Sequence, residues 1–502
     1  MMKRGDEIRL NVDAAAFEGR SVGRVDDFVV FVEGAVPGDV VTARVLRTKK
    51  NYAEAKVVAV EQPSPFRVQP RCKHFGTCGG CRWQHVDYQV QLRFKQQHVL
   101  DAFERIGGFR DPFILPIIGS DDISSEGGYA SGVYFYRNKM EFSFCDRQWL
   151  QEPRRSGAEL PPHSASDKFE LGNAQSLPAV GGRAGEVFLG LHVPQRYDKV
   201  LEIEECHLQS DASNRILDFV RSFARRRNLP AYSSKRGSGY LRFLVIRQSK
   251  RTQELLVNLV TYDDRPDVMK EFAAQLVDAV PEITTVVNTI NSKKAQIAFG
   301  DRESVYVGEG VIHERLGRHV FTISASSFFQ TNTAQAEKLY EVARSFAELK
   351  ASDTVWDLYS GTGSIALFVS DGVNQVVGIE SFASSVKDAE RNAEANRVRN
   401  CTFILGDLKD RLTKETQWMR QQAGPDVMII DPPRSGMHPK VVEEILGLAP
   451  PRIVYVSCNP ATQARDVKAL CAGKYALVKL QPVDLFPHTY HVENVAQLVL
   501  RQ

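Results

Sequence analysis

The chain is poor in cysteine, lacks any long apolar run and carries almost no net charge. Eight cysteines in 502 residues are too sparse for a disulfide scaffold. No uninterrupted apolar stretch reaches the roughly 18 residues that a membrane span needs, so no membrane association is expected. The first residues, MMKRGDEIRL, hold charges where a secretory signal has its apolar core. A cytoplasmic, reducing location is the expectation, and cysteines that cluster there suggest metal. Lys and Arg number 64 against 61 Asp and Glu, a net charge of +3, which by itself argues for no particular partner. The apolar fraction of 43% excludes a disordered chain. At about 100–200 residues per domain the length predicts two to four domains.

Distribution says more than totals. Between residues 221 and 251 stand Arg221, Arg225, Arg226, Arg227, Lys235, Arg236, Arg242, Arg247, Lys250 and Arg251, with no acidic residue among them. So one-sided a run in a near-neutral chain is expected to face a polyanion, nucleic acid before a merely solvated face.

Three segments follow from pattern. Residues 1–62 alternate in short runs with turn signals at Glu33-Gly34 and Pro37-Gly38, which predicts a five-stranded barrel of OB type. Residues 63–326 are mixed α+β, with a helix expected around Tyr88–Ile106. Within them, 148–186 is rich in Pro, Gly, Ser and Ala, as an inserted mobile loop would be. Residues 327–502 alternate strand-like runs (TVWDLY, QVVGIE, CTFIL, DVMIID, RIVYVS) with helical stretches, the pattern of a doubly wound, mostly parallel Rossmann-like α/β sheet.

Five motifs carry chemistry. Cys72, Cys78 and Cys81 lie within ten residues, separated by glycines, and Cys206 is the best candidate for a fourth ligand. Four thiolates suit zinc or an iron–sulfur cluster, whereas Cys145, Cys401 and Cys471 sit singly in apolar runs and read as core. The stretch DLYSGTGS (357–364) is a glycine turn between strand and helix, followed by Glu380 at the next strand end, placed for ribose hydroxyls, and by Asp407 where an adenine edge would lie. With no third glycine and no phosphate-loop lysine, S-adenosylmethionine fits better than NAD. Asp431-Pro-Pro-Arg434 would stiffen a loop at the sheet edge and aim Asp431 into the crevice. Ser457-Cys458-Asn459-Pro460 puts a cysteine where a strand ends and a helix begins; the helix N-terminus and a nearby basic group would favour its thiolate. Last, His488-Thr-Tyr-His491-Val-Glu493-Asn offers Glu493 as a base; the two histidines receive no role.

In this order, DPPR, SCNP and HVE resemble the uracil-5 RNA methyltransferase family, over nearly the whole chain. The resemblance implies a TRAM RNA-binding domain at residues 1–62, a [4Fe-4S] site on Cys72, Cys78, Cys81 and Cys206, and a methyltransferase domain from 327. It implies Cys458 as nucleophile, Glu493 as general base, and cofactor contacts from Gln330, Tyr359, Ser364, Glu380, Asp407 and Asp431. Ser364 replaces an asparagine common at that position. The expected reaction is methylation of uracil carbon 5 from S-adenosylmethionine by a monomer, on 23S rRNA before tRNA. An amino-group methyltransferase and a non-catalytic RNA-binding protein are the competing readings, and zinc competes with the cluster.

Overall fold

The computed structural model describes residues 2–120, 132–149, 169–170, 186–193, 199–412 and 424–501. Most of the insertion expected at 148–186 therefore lies outside the described residues. No helix among them is long and apolar enough to cross a membrane.

Strands β1 (Glu7–Ala15), β2 (Ser21–Val25), β3 (Phe28–Glu33), β4 (Val40–Thr48) and β5 (Tyr52–Gln62) run in the order β3-β2-β1-β4-β5. A parallel pairing of β3 with β5 closes the barrel. Register shifts along β4 and β5 supply the coiling that closure needs. Alternate residues, among them Leu10, Val12, Val30, Val32, Val41 and Val57, fill its interior. A fully buried Asp39 ties the exit segment to the barrel, accepting from Arg67 Nε and Nη2 at 2.7 and 2.6 Å and from Ser64 N at 2.8 Å.

Helix α1 (Tyr88–Ala102) follows, capped by Asp87. The central strands β6 (Lys139–Cys145), β7 (Phe169–Glu170), β8 (Phe188–His192), β9 (Val200–Glu202), β10 (Leu241–Gln248), β11 (Leu255–Thr261), β12 (Thr285–Ile290) and β13 (Arg302–Val307) come next. All but β7, which pairs with β5, form one mixed sheet, β13-β12-β11-β10-β6-β8-β9. Helices α2 (Asp211–Arg226) and α3 (Pro266–Ala279) bury Ile216, Val220, Phe223, Phe272 and Leu276 in the core of this layer. Strands β14 (Val311–Leu316) and β15 (His319–Ser324) make a hairpin leading to the last domain.

That domain holds α4 (Thr333–Ala347), β16 (Thr354–Leu358), α5 (Ser364–Val369), β17 (Gln375–Glu380), α6 (Ala383–Ala395), β18 (Cys401–Leu405), α7 (Leu408–Arg411), β19 (Val427–Ile430), α8 (Pro439–Leu448), β20 (Arg452–Ser457), α9 (Pro460–Gly473), β21 (Tyr475–Val483) and β22 (Glu493–Leu500). The sheet order is β18-β17-β16-β19-β20-β22-β21, parallel except where β22 pairs with its neighbours. Its central strands are near-continuous apolar runs because helices cover both faces. One face meets Leu339, Ala343 and Ile365; the other meets Val441 and Val467. The second face also receives Val99, Ala102 and Phe103 from α1 and its end. Ile114 and Ile118 bridge to Leu480 and Val483, so the segment from 88 to 118 packs with the last domain as well as with the residues just before it.

The basic run is divided between interior and surface. Arg242 is buried and donates to the carbonyls of Asn291, Lys293 and Ala295; Arg247 is buried against those of Ala325 and Ser327; Arg221 is buried against Ile203 and Glu202. Arg225, Arg227, Arg236 and Arg251 pair with Glu202, Glu271, Asp146 and Glu337. The run is therefore not a single free cationic face: Arg221, Arg242 and Arg247 are buried, while Arg225, Arg227, Arg236 and Arg251 stay partly exposed beside carboxylates.

Lys95 of α1 and Asp484 after β21 form an ion pair with both side chains at 0% exposure, Nζ to Oδ1 2.5 Å. Removing one partner leaves a buried charge uncompensated. Lys95→Met is expected to cost about 3–5 kcal/mol in chemical denaturation; a loss within ~1 kcal/mol, the range of an exposed pair, would contradict this assignment.

Candidate active site

Carboxyl ends of parallel strands gather loops at one edge of the sheet, and ligands bind where strand order reverses. Here that point lies between β16 and β19, the strands bearing DLYSGTGS and DPPR.

After β16 the chain turns at Tyr359 (φ 65°), Gly361 (φ 53°) and Gly363 (φ 78°). Nothing lies within 4 Å of where a Cβ on Gly361 would point, so the backbone there is open to a ligand. Glu380 organises both neighbouring turns: Oε2 accepts from Gly361 N at 3.1 Å, and Oε1 from Ser381 N at 2.7 Å and Phe382 N at 2.9 Å. Asp407 caps α7 through Lys409 N (3.1 Å) and pairs with Lys409 Nζ (3.0 Å); the hydrogen bond to Lys409 holds its carboxyl below the usual range. The Ser364 hydroxyl meets Tyr340 Oη at 3.0 Å. Gln330 reaches the same edge from the segment before α4, its carbonyl accepting from Asn138 Nδ2 at 2.8 Å. Phe328 is 66% exposed and Phe382 68%, which leaves two bare rings on these loops. Phe329 is buried in the core and takes no such place.

The SCNP loop owes its shape to the Asn-Pro pair. Asn459 is the N-cap of α9, its side chain accepting from Ala461 N at 3.1 Å, with Pro460 at the first helical position. Asn459 Nδ2 and Thr462 Oγ1 both donate to the carbonyl of Arg434, at 3.0 and 3.2 Å, so the cysteine loop and the DPPR loop are locked together. Gln463 locks the third motif: it donates to the carbonyls of Tyr455 (2.7 Å) and Asn494 (3.0 Å) and accepts from Asn494 Nδ2 (2.7 Å). Cys458, Asp431 and Glu493 are thereby brought within electrostatic range of one another, with Arg434 beside them.

Burial sets the charges. It pushes the Glu493 carboxyl up to about 8, with Asp431 adding repulsion and Arg434 opposing it. It pushes Asp431 up to about 7. Asp357, buried behind Asp431, is also raised. The Cys458 thiol goes up to about 11, through burial and then the charge of Glu493, against the pull of the Arg434 guanidinium. The two features expected to favour thiolate, the cation and the helix start, are both present, and burial with the neighbouring Glu493 acts against them. Arg434, a member of a motif to which no separate role was assigned, is the cation that acts on thiol and base together. His488 and His491 are held neutral by burial, down to about 3 and about 4.

The other cysteine group lies at the foot of the same loop. Cys72, Cys78, Cys81 and Cys206 stand within electrostatic range of one another. Burial pushes Cys78 and Cys81 up to about 12. Gly80 N donates to Cys78 Sγ at 3.4 Å and Gln84 Nε2 to Cys81 Sγ at 3.2 Å. Among the described residues no group of three or more His, Cys, Asp or Glu side chains is close enough to hold a single metal ion. Directly after Cys81, the N–H groups of Arg82 and Trp83 donate to the carbonyl of His488 at 2.8 and 2.9 Å.

Residues 231–501 match the tRNA (uracil-5-)-methyltransferase family, and residues 2–58 match the TRAM domain. The chain is 43% identical to an RNA methyltransferase of Bacteroides thetaiotaomicron, over 97% of this chain and 100% of that one. It is 41% identical to an RNA methyltransferase of Porphyromonas gingivalis, over 98% and 99%. Among solved structures, the Pyrococcus abyssi tRNA (uracil-54, C5)-methyltransferase in complex with S-adenosyl-L-homocysteine aligns with a TM-score of 0.70 and 25% identity, covering 98% of this chain and all of that one. With its barrel, its doubly wound sheet and the three linked loops at the sheet edge, the chain belongs to the tRNA (uracil-5-)-methyltransferase family, RNA-modifying enzymes that use S-adenosylmethionine.

Proposed function

We propose that this enzyme methylates carbon 5 of a uridine in 23S rRNA, through a covalent bond from Cys458 to carbon 6 of the base. The observation that carries the reading is the locking of Cys458, Glu493 and Asp431 into one edge by Asn459 and Gln463. Carbon 5 of uracil is too weak a nucleophile to take a methyl group unaided. Cys458 gives its proton to solvent and its sulfur bonds to carbon 6, whose π electrons shift to leave an enolate with negative charge at carbon 5. S-adenosylmethionine, when bound, supplies an electrophilic methyl on a sulfonium. Once carbon 5 carries the methyl, Glu493 takes the remaining carbon-5 proton, and the electrons released expel the Cys458 sulfur. Arg434 favours both charged forms that this sequence needs, thiolate and carboxylate. Gln330, Tyr359, Ser364, Glu380, Asp407 and Asp431 would hold the cofactor; the open front of Gly361 and the two bare rings fit a flat nucleoside. The target base leaves its stack to enter, at about a few kcal/mol.

The four partly buried cysteines would suit a [4Fe-4S] cluster. Cys72, Cys78, Cys81 and Cys206 would each hold the cluster through a thiolate, and the donors to Cys78 and Cys81 suit charged sulfur. The role is structural, since methyl transfer moves no electron. Protein purified without oxygen is expected to contain iron and sulfide; stoichiometric zinc in their place would overturn the assignment.

A second reading, tRNA as substrate, is favoured by the archaeal neighbour. Labelled methyl transfer to unmodified 23S rRNA and to unmodified tRNA, side by side, separates the two; label should appear as 5-methyluridine in the rRNA. Cys458→Ala should abolish transfer. Glu493→Gln should slow turnover by about 10²–10⁴-fold and accumulate an RNA adduct on a denaturing gel. Normal turnover by either variant would sink the mechanism.

The raised carboxyl of Glu493 also sets a pH dependence. Below about 8 the group carries a proton and cannot accept one. The value of kcat/KM, measured below saturation, is expected to rise with pH through about 8 as Glu493 ionises, and to go on rising as the Cys458 thiol does; a profile flat from pH ~6 upward would contradict it.

A further inference from the structure

Between β1 and β2 the barrel makes a single 3-10 turn, Phe17–Gly19, that lies on the catalytic loop. Gly19 (φ 76°) permits the approach: a Cβ there would stand 2.9 Å from Arg82 Cβ and 3.2 Å from Tyr490 Cδ1. The turn places the Phe17 ring edge-on to Tyr490, centroids 5.9 Å apart at 66°. Tyr490 in turn sits 4.1 Å from His491 at 41°, and His491 6.1 Å from Phe486 at 77°. Exposure falls along this series: Phe17 is 54% exposed, Tyr490 and His491 are half-buried, and Glu493 is 4% exposed. A ladder of ring contacts therefore runs from the barrel surface onto the loop that leads to the proposed base. Arg434, exposed and close enough to act on His491, adds a positive charge beside it.

Packing accounts for the inner rungs, since Tyr490 lies against the cluster of Val36, Trp83, Val86 and Val90. It does not account for Phe17, more than half of which meets solvent. The proposed reaction supplies a use for it. Extracting one uridine from its stack strips its neighbours of a stacking partner, and aromatic rings accept any base by its π-face.

We propose that Phe17, backed by Tyr490, is a stacking platform for the unpaired RNA bases that flank the target uridine. This rests on the reading of the enzyme as an RNA uridine methyltransferase. It places the barrel in contact with the nucleotides next to the reacting one, with RNA chosen over a protein partner because the rings lie on the loop that leads to the proposed base and a cation stands near His491.

The test uses the full chain and a short unstructured RNA in which 5-fluorouridine is flanked by 2-aminopurine. Binding should quench the 2-aminopurine fluorescence. Phe17→Leu keeps the apolar contact with Tyr490 and should leave the thermal midpoint unchanged, yet weaken RNA binding by about ten-fold and lose the quenching. Phe17→Trp should restore both. Equal binding and quenching by wild type and Phe17→Leu would overturn the platform, as would quenching lost in Phe17→Leu but not regained in Phe17→Trp. A covalent 5-fluorouridine adduct without any quenching would overturn the platform and leave the proposed function standing. Quenching that depends on Phe17 with no adduct and no methyl transfer would support the platform and sink the proposed function.

Discussion

The loop from Asp484 to Val492 decides where the proposed base stands, and a buried ion pair fixes that loop. Asp484 accepts from Lys95 Nζ, from Tyr88 Oη at 3.0 Å and from Phe486 N at 3.0 Å, while its carbonyl accepts from Gln335 Nε2 at 2.8 Å. Lys95 Nζ also donates to the carbonyl of Phe486 at 3.0 Å. A buried pair of this kind contributes little net stability over an apolar one, because both charges are taken from water. Its effect is specificity: with both carboxylate oxygens of Asp484 engaged, the start of the loop is tied to α1, and β22 follows from it with Glu493 as its first residue.

Charge in the site follows from the same dryness. Asp357, Asp431 and Glu493 are all pushed towards their neutral forms, and Arg434 is the cation set against Cys458 and Glu493. A site so arranged gains from a ligand that brings positive charge with it, as a sulfonium does. Such a ligand would pull Asp431 and Glu493 back towards the carboxylates that contact and catalysis require. The resting thiol obeys the same logic. Held at about 11, Cys458 is poorly nucleophilic until the site fills. The proposed chemistry is thus gated by assembly of both substrates, with no moving lid needed.

Local patterns were legible in the sequence and long-range ones were not. Alternation in 1–62 marked the barrel because a two-sided strand must alternate, and Asn459-Pro460 marked a helix start because cap and first-turn chemistry are local. Cys458, Glu493 and Asp431 stood out because each ends or begins a strand at the edge where ligands bind. For the basic run, sequence shows the sign of a side chain and not its depth: Arg242 and Arg247 lie inside, holding carbonyl oxygens of loops, so only part of the run is at the surface. Lys95 carried no signal at all, being one lysine on a helix, and its partner lies in the last strand-to-strand loop. Nor could local pattern reveal that α1 belongs to the C-terminal sheet, since that depends on pairings such as Ile114 with Leu480. How burial acts on the Cys458 thiol could not be read from sequence either, because burial is a tertiary property.

Three distant parts of the chain converge on this one loop. Helix α1 holds Asp484 and Phe486, the segment following the cysteine cluster holds the His488 carbonyl through Arg82 and Trp83, and the barrel turn rests on Tyr490. They engage it in order along the loop, every few residues from the end of β21 to the start of β22. The N-terminal half is therefore part of the scaffold of the reacting site, in addition to whatever RNA it grips. A loop held at several points by separate elements keeps its geometry only while all of them are folded and docked. That supplies a physical reason for a cysteine cluster in an enzyme whose reaction needs no electron: the 72–81 segment has few apolar residues of its own, and cross-linking by a bound cluster would give it the rigidity that the Arg82–His488 contact requires.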